Sequence, residues 1–197
     1  MRKMRTKQLV VSTLLLASSL YGGNSSYEFK TKSLVGIEGG YSDLNYEFGT
    51  STNNVISDIG VTNVGLKIGA ETDDFRVFLS GRYFYDSSTK YEYIVTYGAE
   101  IQYKFNMAEF MNAYIGANAG VANVQFRATG ENFSRTISDP YVGGDIGVNI
   151  HVTDSMDWEI GARVMSIQAD NIRNGITYHI NQITSGYTSI IFKWEMD

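Results

Sequence analysis

The sequence predicts an all-β protein in which eight antiparallel strands close into an up-and-down barrel. Eight segments alternate apolar and polar side chains with the period of two that is typical of a strand with two unlike faces. The chain has 20 glycines, 14 tyrosines and 10 phenylalanines but one proline, which favours strands over helices. Short and long connections alternate between the segments, as consecutive hairpins of a barrel require.

The N-terminal residues have the three-part layout of a secretory signal peptide. Four basic residues within the first seven precede an apolar run from Leu9 to Ala17, which is too short to cross a bilayer as a helix. Small residues follow, and they predict a signal peptide over residues 1–19, with cleavage as late as Gly22 as the alternative. We therefore expect residues 20–197 to form the barrel domain. A buried amphipathic helix is the other interpretation of this segment.

The mature chain is strongly acidic and has no cysteine. Removal of the predicted signal peptide takes away four of 16 basic residues and none of the 21 acidic ones, which leaves a formal charge of 12 − 21 = −9. We therefore predict no nucleic-acid partner. Disulfides cannot hold this exported chain together, so hydrogen bonding and burial must do so. No residue pattern indicates a cofactor.

Clusters of Asp, Asn, Ser, Thr and Gly bound the eight predicted strands. In chain order, the strands are expected near residues 33–42 (containing VGIEGGY), 59–71 (VGLKIG), 75–85 (FRVFLSGRYFY), 91–105 (YEYIVTYGAEIQYKF), 112–126 (NAYIGANAGVANVQF), 141–152 (YVGGDIGVNIHV), 158–168 (WEIGARV) and 178–194 (SGYTSIIFKW). The segment MAEFM at 107–111 is the one competing helical signal.

The connections differ in length. Three are short and lie at 71–74, 106–111 and 153–157; three are longer and polar and lie at 43–58, 127–140 and 169–177; the connection at 86–90 is a short exception. An even-numbered outer-membrane barrel has this arrangement, with its short turns and both chain ends on the periplasmic side.

The polar face of the strands is also the glycine face. The lumen of an eight-stranded barrel is just wide enough for side chains. Long charged residues there need glycine neighbours, which have no side chain. This pattern places the polar face inside, with nearly balanced charges. The predicted lumen charges are Glu38, Glu92, Glu100, Asp145 and Glu159 together with Lys67, Arg76, Arg82, Lys104, Arg163 and Lys193.

The apolar face is graded along the strand, with aromatic residues near its ends. Tyr93 and Tyr103 flank a middle that runs from Val95 to Ile101. Ten residues tilted by roughly 40° rise about 25 Å, the height of an outer-membrane apolar band between aromatic girdles. The sequence therefore predicts a transmembrane barrel. A soluble lipocalin-like barrel, in which the aromatic face lines a ligand cavity, is the alternative.

The mature chain resembles the small eight-stranded outer-membrane barrels: the OmpA transmembrane domain, the OmpX/Ail group and the opacity-type surface proteins. The residues that carry the resemblance are the signal peptide, the strands VGIEGGY (35–41), YGAEIQYKF (97–105), VGGDIGVNI (142–150) and WEIGARV (158–164), and the closing SGYTSIIFKW (185–194). The family usually ends on an aromatic residue, whereas Glu195, Met196 and Asp197 follow Trp194 here. The resemblance implies a bacterial outer-membrane location, contact with lipopolysaccharide, and the barrel-assembly machinery as a partner.

The sequence does not indicate an enzyme or a metal site. A lipid A deacylase of the small-barrel type would show His-x-Ser, but the chain has His179-Ile180-Asn181. His151 is expected near the short turn at 153–157, so we interpret both histidines as polar rim residues. No group of His, Asp and Glu has the spacing of metal ligands.

The lumen charges have two interpretations. They form either an interior salt-bridge plug or an ion path, and we favour the plug. Lys67, Arg82, Glu100 and Arg163 are the members expected to interact.

Surface loops remain as the place where binding is expected. The longest loops are 43–58 and 127–140. Tyr46 and Phe48 either contact a partner or prolong the first strand, and Asn132 and Phe133 are further candidate contacts. We therefore predict a structural or surface-interaction role, adhesin-like, with a narrow ion channel and a soluble ligand-binding barrel as alternatives.

Overall fold

Eight antiparallel strands form one closed barrel in the computed structural model, which confirms the predicted fold class. The structure describes residues 31–50, 53–85, 91–127, 134–173 and 176–195, and it describes the side chains of 31–45, 58–85, 93–125, 136–167 and 180–195. The strands are β1 (Lys32–Thr50), β2 (Asn53–Glu71), β3 (Phe75–Tyr85), β4 (Tyr91–Ala108), β5 (Met111–Arg127), β6 (Ser134–Thr153), β7 (Met156–Arg173) and β8 (Ile176–Glu195). No helix among these residues is long and apolar enough to span a membrane.

The register of the eight ladders fixes the tilt of the strands. Following paired residues once around the barrel from Lys32 on β1 leads back to Ser42 on the same strand, a stagger of ten residues. A stagger of this size across eight strands, each about 4.8 Å from the next, corresponds to a tilt of about 40°.

Both ends of the barrel chain lie at the end where the strands connect close to the belt, here called the turn end. Lys32 pairs with both Glu71 and Glu195. The three turns at this end are 72–74, 109–110 and 154–155. Met107 and Ala108 belong to β4, so the helical turn that MAEFM suggested is replaced by a two-residue turn.

Apolar side chains form a continuous belt on the outside of the barrel. Along β3, the inward side chains are buried and the outward residues are exposed or partly exposed. Across the other strands the belt contains Ile37, Val64, Leu66, Ile68, Ile101, Ile115, Val142, Ile146 and Val164. Such a surface is stable against lipid and not against water.

Aromatic side chains lie at the two borders of this belt. At the turn end, the ring of Tyr103 contacts those of Phe75 and Phe105 edge-on, with centroids 5.1 and 4.8 Å apart. At the other border, Tyr83 stacks on Tyr93 at 5.7 Å. Aromatic rings at these heights are typical of the two membrane interfaces.

Glycines make room for the large side chains that fill the lumen. A Cβ atom added to Gly98 would lie 2.1 Å from the Tyr141 hydroxyl, and one added to Gly161 would lie 2.3 Å from the Tyr114 hydroxyl. The glycine face is therefore the crowded inner face, as the sequence predicts.

Several strands run beyond their predicted ends. Most of the expected loop at 43–58 is strand, since β1 continues to Thr50 and β2 begins at Asn53. The expected loops at 127–140 and 169–177 likewise belong largely to strands. These segments contain many polar residues, which favours loops, but they keep the period of two that is typical of a strand.

The two faces exchange character beyond the belt. On β1, the inward residues change from Glu38 to Leu44, while the outward residues change from Ile37 to Asp43. On β8, Ile183 is buried between the exposed Gln182 and Thr184. The barrel is thus polar inside and apolar outside within the belt, and the reverse beyond it.

An apolar cluster fills the barrel beyond the belt. Its members are Leu44, Val61, Phe84, Ile94, Ala122, Val124, Tyr141, Met165, Ile167, Ile180 and Ile183, all buried. They come from all eight strands, so the cluster closes the lumen across its whole width. This part of the interior was expected to be polar.

Within the described residues, the barrel wall divides at the level of this cluster. Pairing between β2 and β3 ends at Thr62 with Tyr85, and pairing between β6 and β7 ends at Tyr141 with Ile167. Beyond these points, β7, β8, β1 and β2 continue as one sheet, and β4, β5 and β6 continue as another. We call these two sheets, with the apolar cluster between them, the extension.

Candidate functional site

A network of buried charges fills the lumen between the turn end and the apolar cluster. Its centre is Glu38 on β1. Arg82 Nε donates to Glu38 Oε1 over 2.8 Å, and Arg163 donates to both carboxylate oxygens over 2.8 and 3.2 Å. Both guanidinium groups also contact Glu100, Arg82 by a short hydrogen bond and Arg163 at 3.4 Å. Strands β1, β3, β4 and β7 are thereby joined across the lumen.

Lys67 connects this centre to the next group toward the turn end. Its ammonium nitrogen lies 3.8 Å from Glu38 Oε2 and donates a short hydrogen bond to Glu159. The same ammonium lies over the rings of Phe78 and Tyr187, 5.0 and 5.6 Å from their centroids. The four residues expected to interact, Lys67, Arg82, Glu100 and Arg163, therefore lie in one network through Glu38.

Arg76 forms the second centre, near the turn end. It donates to Glu71 over 2.6 Å, makes a short hydrogen bond to Asp157, and lies 3.8 Å from Glu159. Lys104 contacts Glu71 at 3.2 Å. Lys193, the other predicted lumen cation of this end, contacts Asp157 at 2.7 Å.

Sequence reasoning missed two members of this second centre. Glu71 and Asp157 were placed in the short turns, yet both are buried in the lumen. Their position follows from the period of two, because Glu71 has the parity of Lys67 and Asp157 has the parity of Glu159. Glu92 was expected in the lumen, but its side chain lies outside the described residues.

Asp145 is in the lumen without a cation. Its two carboxylate oxygens accept hydrogen bonds from Gln102 over 2.9 Å and from Asn118 over 3.2 Å. Within the described part of the chain, no basic group lies within ion-pair distance of it. Amide donors therefore replace the salt bridge that the balance of lumen charges suggested.

The buried charges balance in number. Six cations (Lys67, Arg76, Arg82, Lys104, Arg163 and Lys193) lie among six anions (Glu38, Glu71, Glu100, Asp145, Asp157 and Glu159) in the described lumen. Burial of charge is tolerated when each group is paired and hydrogen-bonded. The arrangement is a cross-linked interior that holds strands together, and the apolar cluster covers it on the side of the extension.

His151 lies at the turn end, as expected. Its Nδ1 is 2.7 Å from Asp157 Oδ1 and its Nε2 is 3.2 Å from Asn112 Nδ2. Both ring nitrogens therefore have partners that belong to the lumen network, and none of the hydrogen bonds found for this ring involves a serine. His179 lies in β8 within the extension, and its side chain is not described.

The described side chains contain no group of three or more His, Asp or Glu residues that could hold a metal ion. The backbone of Tyr46 and Phe48 continues β1 into the extension. This is the strand-prolonging interpretation of the two residues, whose side chains are not described. Asn132 and Phe133 lie outside the described residues.

The fold and the sequence agree with known outer-membrane barrels. A family model described as "Outer membrane protein beta-barrel domain" matches residues 12–188. No curated protein sequence matches the chain.

Three solved structures show the same fold at low sequence identity. Neisserial surface protein A is 15% identical with a TM-score of 0.61, and the match covers 81% of this chain and 97% of that one. Outer membrane protein H of Pseudomonas aeruginosa is 16% identical with a TM-score of 0.53, over 83% and 99% of the two chains. The N-terminal barrel domain of OprF of the same species is 13% identical with a TM-score of 0.51, over 82% and 97%.

The closed eight-stranded barrel with its apolar belt and the family match together place the protein in the bacterial outer membrane. Its belt lies among outer-membrane lipid and lipopolysaccharide, and its extension lies outside the cell because the short turns of such barrels are periplasmic. The chain therefore belongs to the outer membrane protein beta-barrel domain family.

Proposed function

We propose that the protein is a membrane-anchored surface-interaction protein that presents its extension to partners outside the cell. The observation that carries this proposal is the exchange of the two faces at the outer border of the belt. A segment that is apolar inside and polar outside is built for water, so these residues are a folded surface module rather than part of the membrane anchor.

The extension is large enough to reach partners. From Tyr41, at the border of the belt, β1 continues through nine further residues to Thr50. At about 3.3 Å per residue and a tilt of about 40°, this segment rises about 22 Å above the membrane interface. That height is comparable with the thickness of the apolar belt itself.

The described strands of the extension are also paired with one another. In β1 and β2 the register runs without a shift to Thr50 and Asn53. The apolar cluster holds the two sheets against each other. A preformed surface loses less conformational entropy on binding than a mobile loop, which favours a binding role.

The lumen does not favour the channel alternative. The charge network has as many anions as cations, and the apolar cluster covers it where a path to the outside would have to pass. An ion would have to break buried pairs and then enter an apolar layer, and both steps are costly. Catalysis is not proposed either, because His151 is held within the lumen network.

Two partners follow from the location. Lipopolysaccharide surrounds the outer border of the belt, and the barrel-assembly machinery is proposed to insert the chain. Neither contributes to the surface that the extension presents.

The proposal is tested by trimming the tip of the first hairpin. Tyr46 and Ser57 are paired, so replacing residues 47–56 with Asn-Gly joins them by a two-residue hairpin loop that suits this register. Cells that express the full-length chain and cells that express the trimmed chain are compared for adhesion to matrix-coated surfaces and to host cells.

We expect the trimmed variant to lose adhesion while it keeps the heat-dependent shift in SDS mobility of a folded barrel. A variant with Asp73→Ala and Asp74→Ala in a periplasmic turn is the matched control and should adhere normally. Equal adhesion by the trimmed and full-length chains would refute a binding role for this hairpin.

A further inference from the structure

The extension contains four strand segments that are paired on one side only within the described residues. They are Asn53–Val61 of β2, Tyr91–Tyr93 of β4, Ser134–Pro140 of β6 and Ala169–Arg173 of β7. An edge of this kind presents a row of free N–H and C=O groups to which another extended chain can add.

Three of the four edges are short or carry features that oppose such pairing. The β4 edge is only three residues long. The β6 edge has Arg135 and ends in Pro140, which has no N–H to donate. The β7 edge ends in Arg173, and a shift in register with β8 between Ser166 and Ala169 bends it. Charged residues, prolines and bulges are the usual means by which proteins block edge strands.

The β2 edge has one charged residue, Asp58, and none of the other features. Its sequence NNVISDIGV contains no proline, lysine or arginine, and four of its nine residues are Val or Ile. Its register with β1 runs without a shift. Nine residues at about 3.4 Å give an edge of about 30 Å, on which alternate residues direct their N–H and C=O groups away from β1.

The connection between β3 and β4 has fewer residues than this edge. Five residues, 86–90, join the end of β3 to the start of β4. A connection of this length that must return to Tyr91 cannot run beside all nine residues of the β2 edge.

The charge beside the edge selects the partner. Asp43 and Asp58 are exposed on the outer face where β1 and β2 enter the extension, and no described side chain of these two strands in the extension is basic. Asn45 Nδ2 donates to Asp58 Oδ1 over 2.8 Å and holds this carboxylate at the surface. A neighbouring strand with lysine or arginine on its outer face would complement these two carboxylates.

A second copy of the chain does not fit in the same membrane. Antiparallel pairing of two β2 edges would invert one barrel relative to the other. Parallel pairing would incline the two barrel axes by about 80°, because each strand is tilted by about 40°. Copies on two facing cells would bring the carboxylates of Asp43 and Asp58 toward those of the other copy.

We propose that the β2 edge Asn53–Val61 binds an extended, basic segment of a partner protein, which adds as a further strand to the outer sheet. This inference rests on the proposed surface-interaction role and specifies its site and the chemistry of its partner. Backbone hydrogen bonds would supply most of the contact, and the pair of carboxylates would set the preference for basic side chains.

The test uses the mature full-length protein in lipid nanodiscs and a nine-residue peptide in which Lys alternates with Val and Thr. Hydrogen exchange is followed at single amides with and without the peptide. In the free protein we expect every second amide from Asn53 to Val61 to exchange quickly. The peptide should slow the exchange of these amides at least about tenfold. It should leave unchanged the exchange of the intervening amides, which bond to β1.

Two controls separate strand addition from ordinary charge attraction. The same peptide with N-methyl groups on alternate residues keeps its charge but loses its donors, so it should give no protection. Ile56→Pro and Ser57→Pro form a matched pair that keeps both carboxylates, since successive N–H groups point in opposite directions. The variant whose replaced N–H pointed away from β1 should keep the SDS-resistant barrel and no longer bind the peptide. The variant whose replaced N–H bonded to β1 should weaken the pairing of β2 with β1.

Three results would overturn the inference: no binding of the peptide, binding without alternating protection, or edge amides that are already protected in the free protein. If any of these occurs while trimming of residues 47–56 still abolishes adhesion, the edge is wrong and the proposed function stands. If the trimmed variant also adheres normally, both this inference and the proposed surface-interaction function are wrong.

Discussion

The carboxylate of Glu38 on β1 accepts two hydrogen bonds from the guanidinium group of Arg163 on β7, over 2.8 and 3.2 Å. The two residues are 125 positions apart in the chain and are not on adjacent strands. The pair therefore passes over the inner face of β8 and connects two strands that the β-ladder does not join directly.

Glu38→Ala should destabilise the barrel strongly. The substitution leaves Arg82 and Arg163 buried with one carboxylate fewer, and breaking a buried pair by removing one partner costs about 3–5 kcal/mol. We expect a lower unfolding midpoint in urea and a lower temperature for the SDS mobility shift. Ile37→Val on the adjacent outward position is the control, and an equal loss in both variants would contradict a special role for the network.

Inward and outward glycines should respond differently to alanine. A Cβ atom at Gly161 would lie 2.3 Å from the Tyr114 hydroxyl, whereas one at Gly186 would meet no atom within 4 Å. Overpacking of this kind costs about 1–3 kcal/mol. Gly161→Ala should therefore lower the free energy of unfolding by that amount and Gly186→Ala should leave it nearly unchanged. The measurement is urea unfolding in lipid vesicles, and the opposite ranking would mean that the glycine face is outside.

The protein should not conduct ions in planar bilayers. Neutralising one lumen charge, as in Glu100→Gln, should not open a path, because the apolar cluster would still close the lumen. Conductance should require a polar substitution in that cluster as well, such as Ile183→Ser combined with Glu100→Gln. Steady conductance of the unmodified barrel would support the channel alternative instead.

Leu44→Asp should disturb the extension and spare the membrane anchor. Leu44 is 1% exposed within the apolar cluster, and an unpaired carboxylate there would oppose packing of the two sheets. On intact cells, we expect protease to cut the extension of this variant faster than that of the unmodified protein. The membrane-embedded part should still resist SDS. Asp43→Leu changes the neighbouring outward residue and should cause no faster cleavage.

His151→Ala should leave the lipids of the membrane unchanged. The side chain bonds to Asp157 and Asn112 at the turn end, so its loss should reduce stability modestly, by about 1 kcal/mol. Mass spectra of lipid A and phospholipids from cells with the variant should match those from cells with the original chain. A lipid change that depends on His151 would show that the barrel is an enzyme.

The sequence by itself determined the number of strands and the inside and outside of the membrane barrel. Residues such as Glu100 and Ile101 alternate with a period of two, and this period needs no knowledge of neighbouring strands. The glycines opposite large side chains indicated a narrow, crowded lumen for the same reason. Location in the outer membrane followed from those faces and from the aromatic residues at the strand ends.

Tertiary structure decided what the period alone leaves open. Whether Glu38 meets Arg163 depends on the ten-residue stagger, which is set by closure of the whole barrel and is not written in any one strand. The role of Leu44 depended on the same closure, because an inward apolar residue stabilises the protein only where apolar residues of other strands face it. The two faces exchange at the height where lipid gives way to water, and that height becomes visible only when all eight strands are aligned.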